Sequence, residues 1–236
     1  MKVYNCINKI QSILFPHYCL VCGETGVDGL ALCQSCLDEL PVNHHCCSLC
    51  ALPLNDQETT LCGRCIKQAP HFDHCLAPYR FAPPLDELIN GFKFSAKLSY
   101  GSLLSSLLMQ ALEKSQRPQP ELIIPVPLHP RRLRQRGYNQ ALELAKPLGK
   151  QLGIPVNPRL CQRHRDTAAQ SHLNRKERLK NLRGAFQLTG EITARRIAIV
   201  DDVVTTGSTV TEMARLFKQA GAEQVDIWSI ARTPID

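Results

Sequence analysis

The pattern of apolar and polar positions divides the chain into three stretches. From Leu122 onward, strand-like and helix-like patterns alternate, as in an α/β domain. Leu122–Val126 is a short apolar run. Arg196 to Val200 carries a continuous one, the kind of strand a parallel sheet buries on both faces. Between them a helix is expected from about Asn139, with Leu142, Ala145 and Leu148 on one face, and a short strand at Ala185–Leu188. Val210, Met213, Leu216, Phe217 and Ala220 recur at helical spacing. Gly221 follows where a helix C-cap glycine belongs, and Val225, Ile227 and Trp228 open another strand. That succession is a βαβ unit.

The middle stretch, Phe72 to about Lys114, starts strand-like at Cys75–Phe81 and is stopped by Pro83-Pro84. Leu85, Leu88, Ile89 and Phe92 then mark a helix, and a longer one is expected over Gly101–Glu113. Arg117 to Pro120 is a break. Upstream, Cys19 to Cys65 has no long periodic segment. We expect two units, residues 1–70 and residues 71–236, in a chain of 236 residues.

Composition changes the picture mainly through cysteine. Eleven of the twelve cysteines fall between Cys6 and Cys75, and only Cys161 lies beyond. No apolar run reaches the ~18 residues of a membrane span. The apolar patch Ile13-Leu14-Phe15 ends at Pro16 without a long apolar core or a small-residue cleavage site, so no signal peptide is read there and a cytoplasmic chain is expected. In that compartment Cys-x-x-Cys pairs point to metal rather than disulfides. The formal charge of +7 counts cysteines as neutral, so basic character has to be read from where Arg and Lys cluster.

Four pairs stand out: Cys19/Cys22, Cys33/Cys36, Cys47/Cys50 and Cys62/Cys65. Each makes a tight knuckle that turns two sulfurs toward one ion, and two knuckles complete a tetrahedron suited to zinc. Gly23 follows the second cysteine of one pair and Gly63 the first cysteine of another, where a tight turn favours glycine. Pairing in order is the simple arrangement; a crossed one is the alternative, and Cys46 competes with Cys47 for one place. His17, His44 and His45 are weaker ligand candidates, since four thiolates per metal are already supplied. With four protein ligands a zinc has no open position, so both sites are expected to be structural.

The richest chemistry lies in Val200-Asp201-Asp202-Val203-Val204-Thr205-Thr206-Gly207-Ser208-Thr209. An apolar strand leads into two carboxylates, then a hydroxyl-rich loop with one glycine, then a helix. A phosphate at that helix N-terminus meets free N–H groups and a favourable dipole. Gly207 allows close backbone approach, and the hydroxyls add donors. The carboxylates suit sugar hydroxyls, directly or through Mg2+. The ligand so described is a ribose 5-phosphate. The chain has neither Gly-x4-Gly-Lys-Ser/Thr nor Gly-x-Gly-x-x-Gly after the strand, so it is not a Walker or dinucleotide loop.

This segment resembles the phosphoribosyl pyrophosphate (PRPP) motif of type I phosphoribosyltransferases. Together with the cysteine pairs, Pro125–Arg131, Arg134–Gln140, Thr167, Gln170, Leu173, Arg178 and Asn181, it makes nearly the whole chain similar to the ComF/GntX family of competence-associated proteins. The resemblance implies a parallel sheet flanked by helices with a small N-terminal double zinc ribbon. It implies PRPP bound with Mg2+ by Asp201, Asp202 and residues Val203 to Thr209 (Val203, Val204, Thr205, Thr206, Gly207, Ser208, Thr209). Pro127, His129 and Arg131 would stand in the pyrophosphate loop, which carries prolines and arginines where such enzymes have a small glycine-bearing loop. Residues 165–181 would form a lid, with Arg178 or Arg175 over the pyrophosphate. The reaction implied is displacement of pyrophosphate from ribose C1 by a nitrogen acceptor. Arg131, Arg132, Arg134 and Arg136 with Tyr138, and Lys93 and Lys97, fit the alternative of a non-catalytic factor that binds single-stranded DNA or meets DNA-uptake proteins.

Overall fold

The computed structural model describes residues 17–27, 29–95, 97–165 and 184–234. The cysteine-rich stretch holds two one-turn helices, α1 (Gln34–Asp38) and α2 (Gly63–Lys67). Then come strands β1 (His74–Leu76) and β2 (Tyr79–Arg80), helices α3 (Leu85–Phe94) and α4 (Leu98–Lys114), and strand β3 (Leu122–Pro125). Helices α5 (Pro130–Arg136) and α6 (Gln140–Leu152) follow, then β4 (Cys161–Arg163) and β5 (Phe186–Leu188). The chain closes with β6 (Arg196–Val204), α7 (Ser208–Gln219) and β7 (Gln224–Arg232).

One sheet is parallel throughout, in the order β1-β7-β6-β3, with β2 continuing the β1 edge along β7. The register sets Ile123 beside Ala198 and Ile199 beside Ile227. β4 and β5 form a separate antiparallel pair. Because side chains alternate along a strand, β6 and β7 send Ile197, Ile199, Val225 and Ile227 to one face and Ala198, Val200, Trp228 and Ile230 to the other. The first face is covered by Val210, Met213, Ala214 and Phe217 of α7. The second is covered by α3, α4 and α6, through residues such as Phe92, Leu107 and Leu144. Full burial of a side chain such as Phe217 contributes roughly 1.5–3 kcal/mol.

The cysteine-rich stretch joins both layers. Cys19 and Cys36 pack with Leu32 and Leu40 into the α3/α4 core. Cys47, Cys50, Cys62 and Cys65 pack with Phe72 into the α7 core.

Several elements differ from expectation in ways that packing explains. β6 does not stop at Val200 but runs through the acidic pair to Val204, because β7 extends far enough to pair with it. The Pro- and Arg-rich stretch after β3 is not a plain loop: His129 caps α5 and Pro130 occupies its first turn, where a missing N–H costs nothing. On α6 the buried face is Ala141, Leu144, Ala145 and Leu148, while Leu142 turns aside to a cavity. On α7 the tight packing against β6 and β7 prefers the small Ala214, and Leu216 is only partly buried.

Candidate functional site

The acidic pair sits within β6. Asp201 is in register with Ser229 of β7, and Ser229 Oγ donates to the Asp202 carbonyl at 3.1 Å. Asp202 is 8% exposed, and its Oδ1 lies 3.1 Å from Lys93 Nζ at the end of α3. The same oxygen accepts the Val203 N–H at 2.7 Å, and Asp201 Oδ1 accepts the Asp202 N–H at 2.9 Å. Burial first, and the neighbouring Asp202 second, push the Asp201 carboxyl up to about 8, with Lys93 working the other way.

Both acids open on a cavity of about 180 Å3 together with Thr209, Lys93, Arg132, Arg136 and Arg163. Arg136 is held by Gln140, to whose Oε1 it donates at 3.0 Å, and its guanidinium lies 5.1 Å from the centre of the Phe94 ring. Asn139 fixes the start of α6: Oδ1 accepts the N–H of Ala141 at 3.0 Å and Nδ2 donates to the Val126 carbonyl at 3.0 Å. Tyr138 donates its hydroxyl to the Phe92 carbonyl, tying α3 to the same corner.

Thr205, Thr206 and Gly207 bridge β6 to α7. Gly207 has φ 76°, a left-handed conformation that a side chain would strain. Thr206 Oγ1 accepts the Ser208 N–H at 3.3 Å and lies 2.9 Å from Ser208 Oγ. The first turn of α7 begins at the end of this strand, and Thr209 lines the cavity of the paired carboxylates, so a helix N-terminus with its anion-binding character lies beside them.

The other candidate residues fall in different places. Pro127 and His129 line a second cavity, of about 570 Å3, with Tyr138, Asn139 and Arg163. His129 Nδ1 accepts the Arg131 N–H at 3.3 Å as the cap of α5, and Arg131 is exposed on that helix. Arg178, Arg175 and most of the expected lid lie outside the described residues. From α5 it is Arg132 and Arg136 that line the cavity of the acidic pair. Arg163 lines the same cavity from β4, a strand too short to show in the pattern of the sequence. Arg64 and Arg232 lie behind the loop; a lone arginine inside a cysteine knuckle or at a strand end gives no signal of its own in the sequence.

The cysteines resolve into two groups in chain order, Cys19/Cys22/Cys33/Cys36 and Cys47/Cys50/Cys62/Cys65, with the sulfurs of each within 4.8 Å of one another. Cys47, not Cys46, completes the second. Sulfur pairs at 3.5 Å (Cys22, Cys33) and 3.7 Å (Cys50, Cys62) approach the edge of about 3.8 Å that a tetrahedron with Zn–S near 2.3 Å requires. Burial opposes ionisation of Cys47, but the N–H groups of Cys62, Cys50 and Leu49 outweigh it and bring the thiol down to about 7. At Cys19 the N–H groups of Cys22, Cys33 and Val21 likewise outweigh burial and bring it down to about 6. Each group thus offers one ready thiolate to a metal.

Two family models match this chain: a double zinc ribbon domain over residues 10–66 and a phosphoribosyl transferase domain over residues 139–236. Competence protein F of Haemophilus influenzae is 36% identical over 229 residues, covering 92% of this chain and 98% of the relative. The chain belongs to the competence protein F family. DNA utilization protein YhgH of Salmonella typhi is 34% identical over 223 residues, covering 92% and 98%. Competence protein ComFC of Streptococcus pneumoniae is 26% identical over 231 residues, covering 91% and 99%. Among solved structures, a purine phosphoribosyltransferase of Pyrococcus horikoshii is 22% identical with a TM-score of 0.32, covering 53% of this chain and 68% of that one. By its two family-model matches and its sheet, this chain is a phosphoribosyltransferase-like parallel sheet flanked by helices, joined to a double zinc ribbon. No helix among the described residues is long and apolar enough to cross a membrane.

Proposed function

We propose that this protein binds PRPP with Mg2+ at the β6–α7 junction and transfers its phosphoribosyl group to a nitrogen acceptor, releasing pyrophosphate, in the service of DNA uptake or utilization. The observation that carries this reading is the cavity in which Asp201 and Asp202 face Lys93, Arg132, Arg136 and Arg163, with Thr209 at the start of α7. The 5-phosphate would sit on the N–H groups and hydroxyls of Thr205–Thr209. The acids would hold the ribose hydroxyls and the Mg2+, and the cations opposite would take the pyrophosphate. When bound, Mg2+ neutralises the leaving pyrophosphate. The acids would also stabilise the positive charge that develops on the sugar ring as that bond breaks. Zinc in both cysteine groups is structural in this reading, since no ligand position is left open.

A second reading has its own observation. Phe94 is 71% exposed beside Arg136, Lys93 and Arg132, an aromatic face among cations that suits a stacked base of single-stranded DNA. The protein would then be a non-catalytic DNA-binding factor. Pyrophosphate release from PRPP with Mg2+, tested across nitrogen acceptors and compared with Asp201→Ala, separates the two. Release that the variant loses supports the transferase. No release, with salt-sensitive oligodeoxynucleotide binding that survives in Asp201→Ala, supports the second reading.

A further inference from the structure

The second cysteine group grips the back of the phosphate loop. Arg64 lies between Cys62 and Cys65 on α2, and its Nη2 donates to the Thr206 carbonyl at 2.8 Å. Arg232, 1% exposed at the end of β7, donates from Nε to the Cys50 carbonyl at 3.0 Å. Its Nη1 donates to the Val204 carbonyl at 2.8 Å and to that of Thr205. Three consecutive loop carbonyls are therefore held by two guanidiniums, one inside the Cys62/Cys65 knuckle and the other bonded to Cys50 of the Cys47/Cys50 knuckle.

Peptide geometry turns this grip into a statement about the other side of the loop. In a trans peptide the C=O and N–H point in opposite directions. The units whose carbonyls belong to Val204, Thr205 and Thr206 carry the N–H groups of Thr205, Thr206 and Gly207. Holding the carbonyls toward the arginines turns those three N–H groups away from them. No hydrogen bond to another described residue uses any of the three. Successive free N–H groups ahead of a helix make a concave nest for an anion.

Charge links the same residues to the metal. Among the described residues, neither Arg64 nor Arg232 meets a carboxylate within ion-pair distance. Four thiolates around one Zn2+ form a dianion, and these two cations adjoin it. A buried guanidinium without a counter-charge is costly, so metal in this group favours the arginines where they are, and the arginines favour the loop where it is.

We propose that Arg64 and Arg232 are positioning residues for the ligand's 5-phosphate, and that zinc in the second cysteine group and phosphate on the loop strengthen each other's binding. This rests on the reading of the loop as a phosphate site. Such coupling is reciprocal by linkage, so it can be measured from either end.

The test uses full-length, zinc-loaded protein and ribose 5-phosphate, with wild type beside Arg64→Ala and Arg64→Lys. Arg64 is only partly buried, so both variants should fold and retain two zinc ions, as metal analysis would check. The expected result is about tenfold weaker ribose 5-phosphate binding in Arg64→Ala and partial recovery in Arg64→Lys. Ribose 5-phosphate should also slow chelator extraction of one of the two zinc ions in wild type, and of neither in Arg64→Ala. A general loss of stability would not produce that selective protection. Wild-type binding that Arg64→Ala leaves unchanged, or that protects neither zinc, overturns the coupling alone. Absence of ribose 5-phosphate binding by wild type overturns the phosphate site and the coupling with it.

Discussion

The first cysteine group lies over α3 and α4, with Cys22 at the surface and no hydrogen bond, among the described residues, to the Thr205–Gly207 loop. The second lies beside α7, nearly enclosed, and is tied to that loop through Arg64 and Arg232. The ligands are the same and the spacing nearly so. What differs is the face of the sheet each one lands on, because the chain crosses from one face to the other at the β1/β2 edge. A metal site takes on whatever task its neighbours give it: the first staples helices to the sheet, and the second stands behind the site.

The largest expected effect separates the two groups directly. Cys62→Ser opens a buried tetrahedron whose metal contributes on the order of 10 kcal/mol of binding free energy to folding. It should leave about one zinc per chain and broaden or abolish the cooperative melt. Cys22→Ser, at an exposed ligand of the first group, should lower the melting temperature less and change ribose 5-phosphate affinity less than twofold. Equal losses of affinity in both variants would erase the distinction.

Next come the two cores. Phe217→Ala on the α7 face should cost about 3–5 kcal/mol and Leu107→Ala on the α4 face about 2–5 kcal/mol in denaturant unfolding. Each should give one shifted transition, since both clusters contact the same strands and a cysteine group. Two separate transitions would mean that the cysteine-rich stretch and the sheet melt independently.

Lys93→Met tests the front of the site as Arg64→Ala tests the back. Without the 3.1 Å partner of Asp202, PRPP affinity should fall about tenfold. The Asp201 carboxyl should also titrate higher still, since Lys93 is what opposes its rise. The upward shift is readable by carboxyl-specific spectroscopy or by the pH dependence of stability.

The pH dependence of stability tests the same corner without ligand. The Asp201 carboxyl is raised from its ordinary value of 3.8 to about 8, so between those values the folded protein binds the extra proton. Stability from this group is full below about 4 and is lost as pH rises toward 8. Asp201→Asn should therefore raise the melting temperature of ligand-free protein at pH 8 and leave it nearly unchanged at pH 4. A gain at pH 4 that vanishes at pH 8 would reverse the assignment.

Much of this was legible in the residues because it is written locally. The Cys-x-x-Cys pairs, the strand–acid–hydroxyl–helix run and the 3.6-residue period of α7 each lie within a short window. What escaped depends on residues far apart in the chain that meet only after folding. Lys93 reaches Asp202 across the α3–β6 junction, and Arg232 meets Cys50 and Val204 at once. Whether cysteine pairs combine in order or crossed is likewise a matter of which knuckles the fold brings together. The end of β6 was misplaced because carboxylates look like a strand terminus, whereas the ladder with β7 decides where the strand stops.

The most direct test of the central claim is calorimetric titration of PRPP with Mg2+ into zinc-loaded wild-type protein and into an Asp201→Ala/Asp202→Ala variant. The account predicts saturable one-site binding in wild type and its loss in a variant that still holds two zinc ions and melts cooperatively. Equal binding by both proteins, or none by folded wild type, would contradict it.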